Sequence, residues 1–262
     1  MIAPYYHSAR VTLYLGDCID VMRDMPDNSA DAIITDLPYG TTACKWDAII
    51  PFEPMWAQVK RVLKANGAFI TTASQPFTSA LIMSNLNMFR YELIYEKSRS
   101  TGHGNAKKMP MRSHENIIVF YQKLPVFNPQ FTKGIPYHKI DRSWPSPDSV
   151  LGRTGFKIGD ERRSSKRYPR SVIYINNPTI YNGAHPTQKP VALMEYLINT
   201  YTNEGDTVLD FCMGSGSTGV AAMKLNRRFI GIELSEEYCK IAKARIHAAE
   251  LMAEADLFKP KG

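Results

Sequence analysis

The sequence of 262 residues holds no run of about 18 apolar residues, the length a helix needs to cross a bilayer. Its start, Met1-Ile2-Ala3-Pro4-Tyr5-Tyr6-His7, has no basic segment leading into an apolar stretch. A secretory signal is therefore excluded and the cytoplasm is the expected location. Cysteine is scarce: Cys18, Cys44, Cys212 and Cys239 form no Cys-x-x-Cys pair and have no histidine at ligand spacing. No metal site and no disulfide framework is expected, only reduced and mostly buried thiols. Internal repeats and low-complexity tracts are also absent, so a chain of this length should hold one large domain, or one core with an inserted module.

What is abundant is positive charge in one place. The formal net charge is +7, yet Lys97 to Arg170 carries 16 Lys and Arg against 5 Asp and Glu, which leaves the rest of the chain acidic. That basic block is interleaved with Tyr, Phe and Trp, a pattern that fits a polyanionic partner.

Regular structure is expected on both sides of the block. Val11 to Leu15 and Ala32 to Thr35 read as strands, Glu53 to Lys64 as a helix, Gly67 to Thr72 as a strand, and Pro76 to Asn85 as a helix with Pro at its start. Tyr91 to Glu96 and Asn116 to Tyr121 read as two further strands. After a Gly-, Pro- and Arg-rich stretch with strand-like pieces such as Ser171 to Ile175, the pattern resumes. It gives a helix from Val191 to Tyr201, a strand from Thr207 to Leu209, a helix from Ser217 to Leu225, a strand from Arg228 to Ile232, and a long helix from Ser235. Strands alternating with helices predict an α/β fold with a doubly wound, mostly parallel sheet. Three segments follow: residues 1–97, residues 98–183 with a strand return and an inserted basic region, and residues 184–262.

Two motifs carry the chemistry. Val208-Leu209-Asp210-Phe211-Cys212-Met213-Gly214-Ser215-Gly216-Ser217-Thr218-Gly219 is a strand, a glycine turn and a helix start, where a ligand can approach the backbone closely. Glu233 ends the next strand and is placed to hydrogen-bond ribose hydroxyls. Gly214-x-Gly216-x-x-Gly219 also matches a dinucleotide fingerprint, so this loop alone admits a nicotinamide-dependent dehydrogenase. The second motif, Thr35-Asp36-Leu37-Pro38-Tyr39-Gly40, follows a buried strand. A carboxylate and a backbone carbonyl there can accept the two N–H bonds of a planar amine while an aromatic ring stacks on it. A dehydrogenase leaves that turn unexplained.

Taken with Gly16-Asp17, Ser113-His114-Glu115-Asn116-Ile117, His185-Pro186-Thr187-Gln188-Lys189-Pro190 and Gly231-Ile232-Glu233, in this order, the two motifs resemble those of the DNA amino-methyltransferases of the β arrangement. That family modifies adenine N6 or cytosine N4. The resemblance implies a Rossmann-like methyltransferase sheet with permuted motif order, S-adenosylmethionine as cofactor and double-stranded DNA as substrate. It implies Asp36, Leu37, Pro38 and Tyr39 as the catalytic turn. Asp17 is then expected near the cofactor's adenine and Glu233 at its ribose. The turn of Gly214, Ser215 and Gly216 should lie beneath its methionine portion, and Asp210, Phe211 and Cys212 are expected to bind the cofactor as well. His185, Thr187 and Lys189 form a cofactor wall, with Thr187 and Lys189 at the methionine carboxylate.

The chain departs from the family's usual Asp-Pro-Phe at Asp210-Phe211-Cys212, so either Phe211 packs on the cofactor or Cys212 serves as a smaller wall. Leu37 replaces the first Pro of the catalytic motif. Asp36 favours adenine N6, since the cytosine N4 enzymes more often begin that motif with Ser. Such a pocket needs the base flipped out of the duplex. Arg99, Lys107, Lys108, Arg112, Arg162, Arg163, Lys166, Arg167 and Arg170 are expected to meet the DNA at phosphates or base edges. A homodimer and a cognate restriction endonuclease are admitted as partners. A catalytically silent DNA-binding protein is the non-enzyme alternative.

Overall fold

The computed structural model describes residues 2–40, 47–140, 161–176 and 188–257. The chain divides into two compact units, Met1–Asn128 with Ser171–Gly262, and Pro129–Arg170. The smaller unit is narrower than the expected segment 98–183, because the strands on either side of it belong to the sheet of the larger unit.

In chain order the elements are β1 (Tyr6–His7), β2 (Val11–Leu15), α1 (Cys18–Asp24), β3 (Ala30–Asp36), α2 (Phe52–Val62), β4 (Leu63–Ala73), α3 (Phe77–Ser84), β5 (Phe89–Thr101) and β6 (Arg112–Phe120). Then come β7 (Thr132–Ile140), β8 (Glu161–Arg167), β9 (Val172–Ile175), α4 (Val191–Tyr201), β10 (Thr207–Asp210), α5 (Ser217–Lys224), β11 (Arg228–Glu233) and α6 (Glu236–Leu257). β7 and β8 pair antiparallel in the smaller unit.

The sheet of the larger unit has nine strands in the order β1-β2-β11-β10-β3-β4-β6-β5-β9. From β2 to β4 every pairing is parallel, and β6 runs antiparallel to both β4 and β5. Such a sheet must be covered on both faces, which is why β3 reads Ala-Asp-Ala-Ile-Ile-Thr-Asp with four consecutive buried residues rather than an alternation. One face packs under α4, α5 and α6 through residues such as Ile34, Ile70, Leu197, Met223 and Ile246. The other packs under α1, α2 and α3 through Val21, Ile33, Val59, Phe69 and Leu81. In α2 the buried Met55, Trp56, Val59 and Val62 recur at helical spacing, and the Trp56 ring meets Phe69 and Phe120 edge-on at 5.1 and 5.0 Å.

α1 has a local cause: Asp17 sits in extended geometry and its Oδ1 accepts from the amides of Ile19 and Asp20 at 2.8 and 3.2 Å. The strand order also knits the two ends of the chain together. Asp31 accepts from Lys64 Nζ at 2.6 Å and from the Thr207 amide at 2.9 Å, joining β3 to β4 on one side and β10 on the other.

Candidate active site

The strands end together on one edge of the sheet, and a cavity of about 810 Å³ opens there. Asp36, Leu37, Pro38 and Tyr39 line it from the end of β3, and Asp210, Phe211, Cys212, Gly214 and Ser215 from the end of β10. Asp17 and Glu233 border it beyond β2 and β11. The volume is that of a site for a drug-sized ligand.

On the β3 side the Asp36 carboxylate is almost fully engaged. Its Oδ1 accepts from the Tyr39 hydroxyl at 2.7 Å and from Thr72 Oγ1 on the paired strand, and its Oδ2 accepts from Lys189 Nζ at 2.8 Å. A carboxylate offers about four acceptor positions, so about one is left for a donor arriving through the cavity. Tyr39 is held on the other side by Phe77, whose ring stacks on it at 5.4 Å and 30°. Burial, then the charge of Asp36, push the Tyr39 phenol well above its usual range, so it stays a donor. Leu37 is only 3% exposed and its side chain belongs to the core. This turn therefore shows the cavity a carboxylate edge, backbone and Tyr39.

The glycine loop is shaped from both ends. Gly214 and Gly216 have φ of +51° and +82°, a backbone region that suits glycine. Glu233 Oε2 accepts from the Gly214 amide and its Oε1 from the Ser235 amide, both at 2.8 Å. Burial raises the Glu233 carboxyl despite those amides. Asp210 is 3% exposed and accepts from Thr35 at 2.8 Å and from the Cys212 amide at 3.1 Å. Burial outweighs these bonds and pushes its carboxyl up to about 6. The Ser217 hydroxyl, at the first turn of α5, borders the cavity, buried and without a hydrogen-bond partner among the described residues.

At Asp210-Phe211-Cys212, Phe211 is 1% exposed and its ring lies parallel to Phe69 at 6.2 Å, packed in the core. Cys212 is the residue left half-exposed on the cavity wall. Its thiol is raised well above its usual range, first by hydrogen bonding with Cys18 and then by burial. A thiol held protonated in this way is no thiolate nucleophile.

Lys189, the described member of the expected cofactor wall, lies against Asp36, with Nζ 3.1 Å from Glu115 Oε2. His185 and Thr187 lie outside the described residues. Asp17 borders the cavity while capping α1.

The basic candidates separate into three groups. Arg99 and Arg112, exposed on β5 and β6, line the cavity. Lys107 and Lys108 stand on the exposed turn between those strands. Arg162, Arg163, Lys166, Arg167 and Arg170 belong to the smaller unit. There Arg167 stacks on Tyr137 at 4.6 Å and bonds backbone carbonyls, so it braces the β7–β8 pair.

Sequence reading missed Thr72, Gln188, Glu115 and Arg245 as site residues. Gln188 accepts from Ser215 Oγ at 3.1 Å, and Arg245 on α6 donates to the Ser215 carbonyl and hydroxyl at 2.5 and 2.9 Å. Only Gln188 and Glu115 fell within motifs that could have exposed them. Among the described residues no cluster of His, Cys, Asp and Glu could hold a metal ion, and no helix is long and apolar enough to cross a membrane.

A family profile described as DNA methylase matches residues 30–244. The type II methyltransferase M2.DpnII of Streptococcus pneumoniae is 56% identical over 275 aligned positions, covering 95% of this chain and 94% of the relative. M2.MboI of Moraxella bovis is 27% identical, covering 94% and 92%. Among solved structures, the M1.HpyAVI–SAM complex superposes with a TM-score of 0.60 at 26% identity, covering 90% of this chain and 99% of that one. The PvuII cytosine-N4-specific DNA methyltransferase superposes with a TM-score of 0.66 at 15% identity, covering 96% and 95%, a likeness of fold.

Proposed function

Because the chain belongs to the DNA methylase family of N6 and N4 amino-methyltransferases, which use S-adenosylmethionine, we propose that it methylates the N6 amino group of adenine in a base flipped out of double-stranded DNA. The observation that carries this reading is the Asp36 carboxylate, anchored through three bonds with one acceptor position left, in the same cavity as the glycine loop.

The residues present fit the cofactor. A Cβ on Gly214 would meet open space, the Ser217 hydroxyl, unpartnered among the described residues, offers a donor to a carboxylate, and Glu233 borders the cavity where ribose hydroxyls would need an acceptor. Gly214, Ser215 and Cys212 would wall its methionine portion and Asp17 its adenine, while Gly216 faces α6 rather than the cavity. When bound, the cofactor supplies an activated sulfonium methyl.

The protein's task is orientation of a weak nucleophile, since the amine's lone pair is delocalised into the base. Asp36 and the backbone carbonyl of Leu37 or Pro38 accept the two N–H groups, which frees the lone pair, and Tyr39 stacks on the base. Alignment of this kind can lower the barrier by about 7 to 11 kcal/mol. Flipping costs a few kcal/mol, partly returned by stacking. The exposed Arg99 and Arg112 at the cavity, and the basic residues of the smaller unit, meet the phosphates. The relatives named type II methyltransferases support a restriction endonuclease acting at the same DNA site.

Adenine rather than cytosine rests on Asp36 at the head of the catalytic turn. Methylation of random-sequence DNA followed by nucleoside mass spectrometry tests it, with N6-methyladenine as the expected product. N4-methylcytosine in its place would overturn the choice of base and leave the family untouched.

A further inference from the structure

Behind Asp36 lies a line of charge that orientation of the amine does not by itself require. Lys189 Nζ stands 2.8 Å from Asp36 Oδ2 and 3.1 Å from Glu115 Oε2, and Lys97 Nζ donates to Glu115 Oε1 at 3.3 Å. The side chains of Lys97, Lys189 and Glu115 are 8, 11 and 18% exposed. Two anions and two cations from β3, β5, β6 and the segment before α4 thus cancel in the cavity wall.

Each member depends on the others, because a buried ion stripped of its partner costs several kcal/mol. Burial works against the Lys189 ammonium, yet Asp36, Tyr39 and Glu115 outweigh it and hold the group charged. Burial alone would raise Glu115, and Lys189 and Lys97 reverse that and keep it ionised. The other titratable groups around Asp36 are Tyr39 on its own turn, Asp210 on β10 and Tyr95 on β5. Take Lys189 away and Asp36 and Glu115 form a carboxylate pair with only Lys97 behind it. Repulsion between two such carboxylates favours a proton on one of them. A protonated Asp36 would turn an O–H toward the amine where an acceptor is needed.

We propose that Lys189 and Glu115 are positioning residues for methyl transfer: Lys189 keeps Asp36 ionised and anchored as the acceptor for the target amine, and Glu115 shares that ammonium so that Asp36 keeps its acceptor strength. The inference rests on the amino-methyltransferase reading and gives Lys189 a role at the amine.

Single-turnover methylation across pH, with cofactor affinity measured in parallel, tests it in Lys189→Gln, Glu115→Gln and the double variant. In Lys189→Gln the acid limb of the rate should move up by about one pH unit or more, while cofactor affinity changes less than about threefold. His114, which also lines the cavity, is present in every variant, so the difference between profiles isolates the quartet. The double variant leaves Asp36 balanced by Lys97, and its acid limb should return toward that of the unsubstituted protein. Should Lys189→Gln fail to fold, Glu115→Gln carries the test: its plateau rate should fall about tenfold with cofactor affinity retained. An unmoved acid limb with cofactor affinity lost tenfold would overturn the proposal and return Lys189 to the cofactor, as would an unchanged plateau in Glu115→Gln. If the unsubstituted protein binds cofactor but methylates no DNA at any pH, the functional reading fails and takes the proposal with it.

Discussion

Asp36 and Glu233 end two strands of one sheet and face one cavity, yet their partners differ. Asp36 is bound by side chains that leave it an open acceptor position, while Glu233 is bound by the Gly214 amide of the loop it supports and by the neighbouring Ser235 amide. Asp36→Ala should therefore lower turnover on the order of a thousandfold and keep cofactor affinity. Glu233→Ala should weaken cofactor binding first, by roughly tenfold, since two amides lose their acceptor. Calorimetric titration with cofactor beside a labelled-methyl assay on DNA separates the two. Asp210 makes a prediction about pH. Its folded carboxyl titrates at about 6 against an ordinary 3.8, so between those values the native state holds more protons than the unfolded chain and stability falls as pH rises. The penalty is about 3 kcal/mol, complete above the folded value and absent below the unfolded one. Urea unfolding from pH 4 to pH 7 should show this slope in the unsubstituted protein and a flatter one in Asp210→Asn.

At the scale of elements, α5 and α6 meet where glycine permits it. A Cβ on Gly216 would lie 3.0 Å from Ala242 Cβ and from Ile246 Cδ1, at a φ of +82° that penalises any side chain. Gly216→Ala should cost about 1 to 3 kcal/mol in thermal unfolding and weaken the cofactor as α5 shifts. The same elements show what the sequence could and could not convey. α4 and β2 are legible to the residue, and β3, β10 and β11 nearly so, because short apolar runs between turn signals identify buried parallel strands. α1 was not, since seven residues are too few for a helical period to stand out and its cap, Asp17, was read as a ligand contact. The strands of the smaller unit were hidden by their polar composition. The packing of Phe211 in the core showed only once Phe69 was known to lie beside the loop. Lys189 and Glu115 stand in legible motifs, but their meeting with Lys97, brought about by β5, β6 and the approach to α4, leaves no mark of its spacing in the sequence.

Over the whole molecule the charge is lopsided, with 16 of the 32 Lys and Arg between Lys97 and Arg170. DNA binding should accordingly weaken steeply with salt, each neutralised phosphate contributing about −0.9 to the log–log slope. Charge reversal at Arg162 and Arg163, which lie in the smaller unit, should flatten that slope while cofactor affinity stays within about twofold. Equal loss of both affinities would show that the smaller unit serves the cofactor too. The strand order has a consequence for how the protein comes into being. β2 and β3 follow one another in the chain but are kept apart in the sheet by β11 and β10. On the ribosome, β3 must wait for roughly 170 further residues, about 10 to 30 s of synthesis, before β10 arrives to pair with it. Until then its four buried residues have β4 on one flank only, and the nascent chain exposes an apolar seam that a chaperone can occupy. No emerging polypeptide can hold cofactor and target base together before β11 has closed the sheet, so methylating activity begins late in translation.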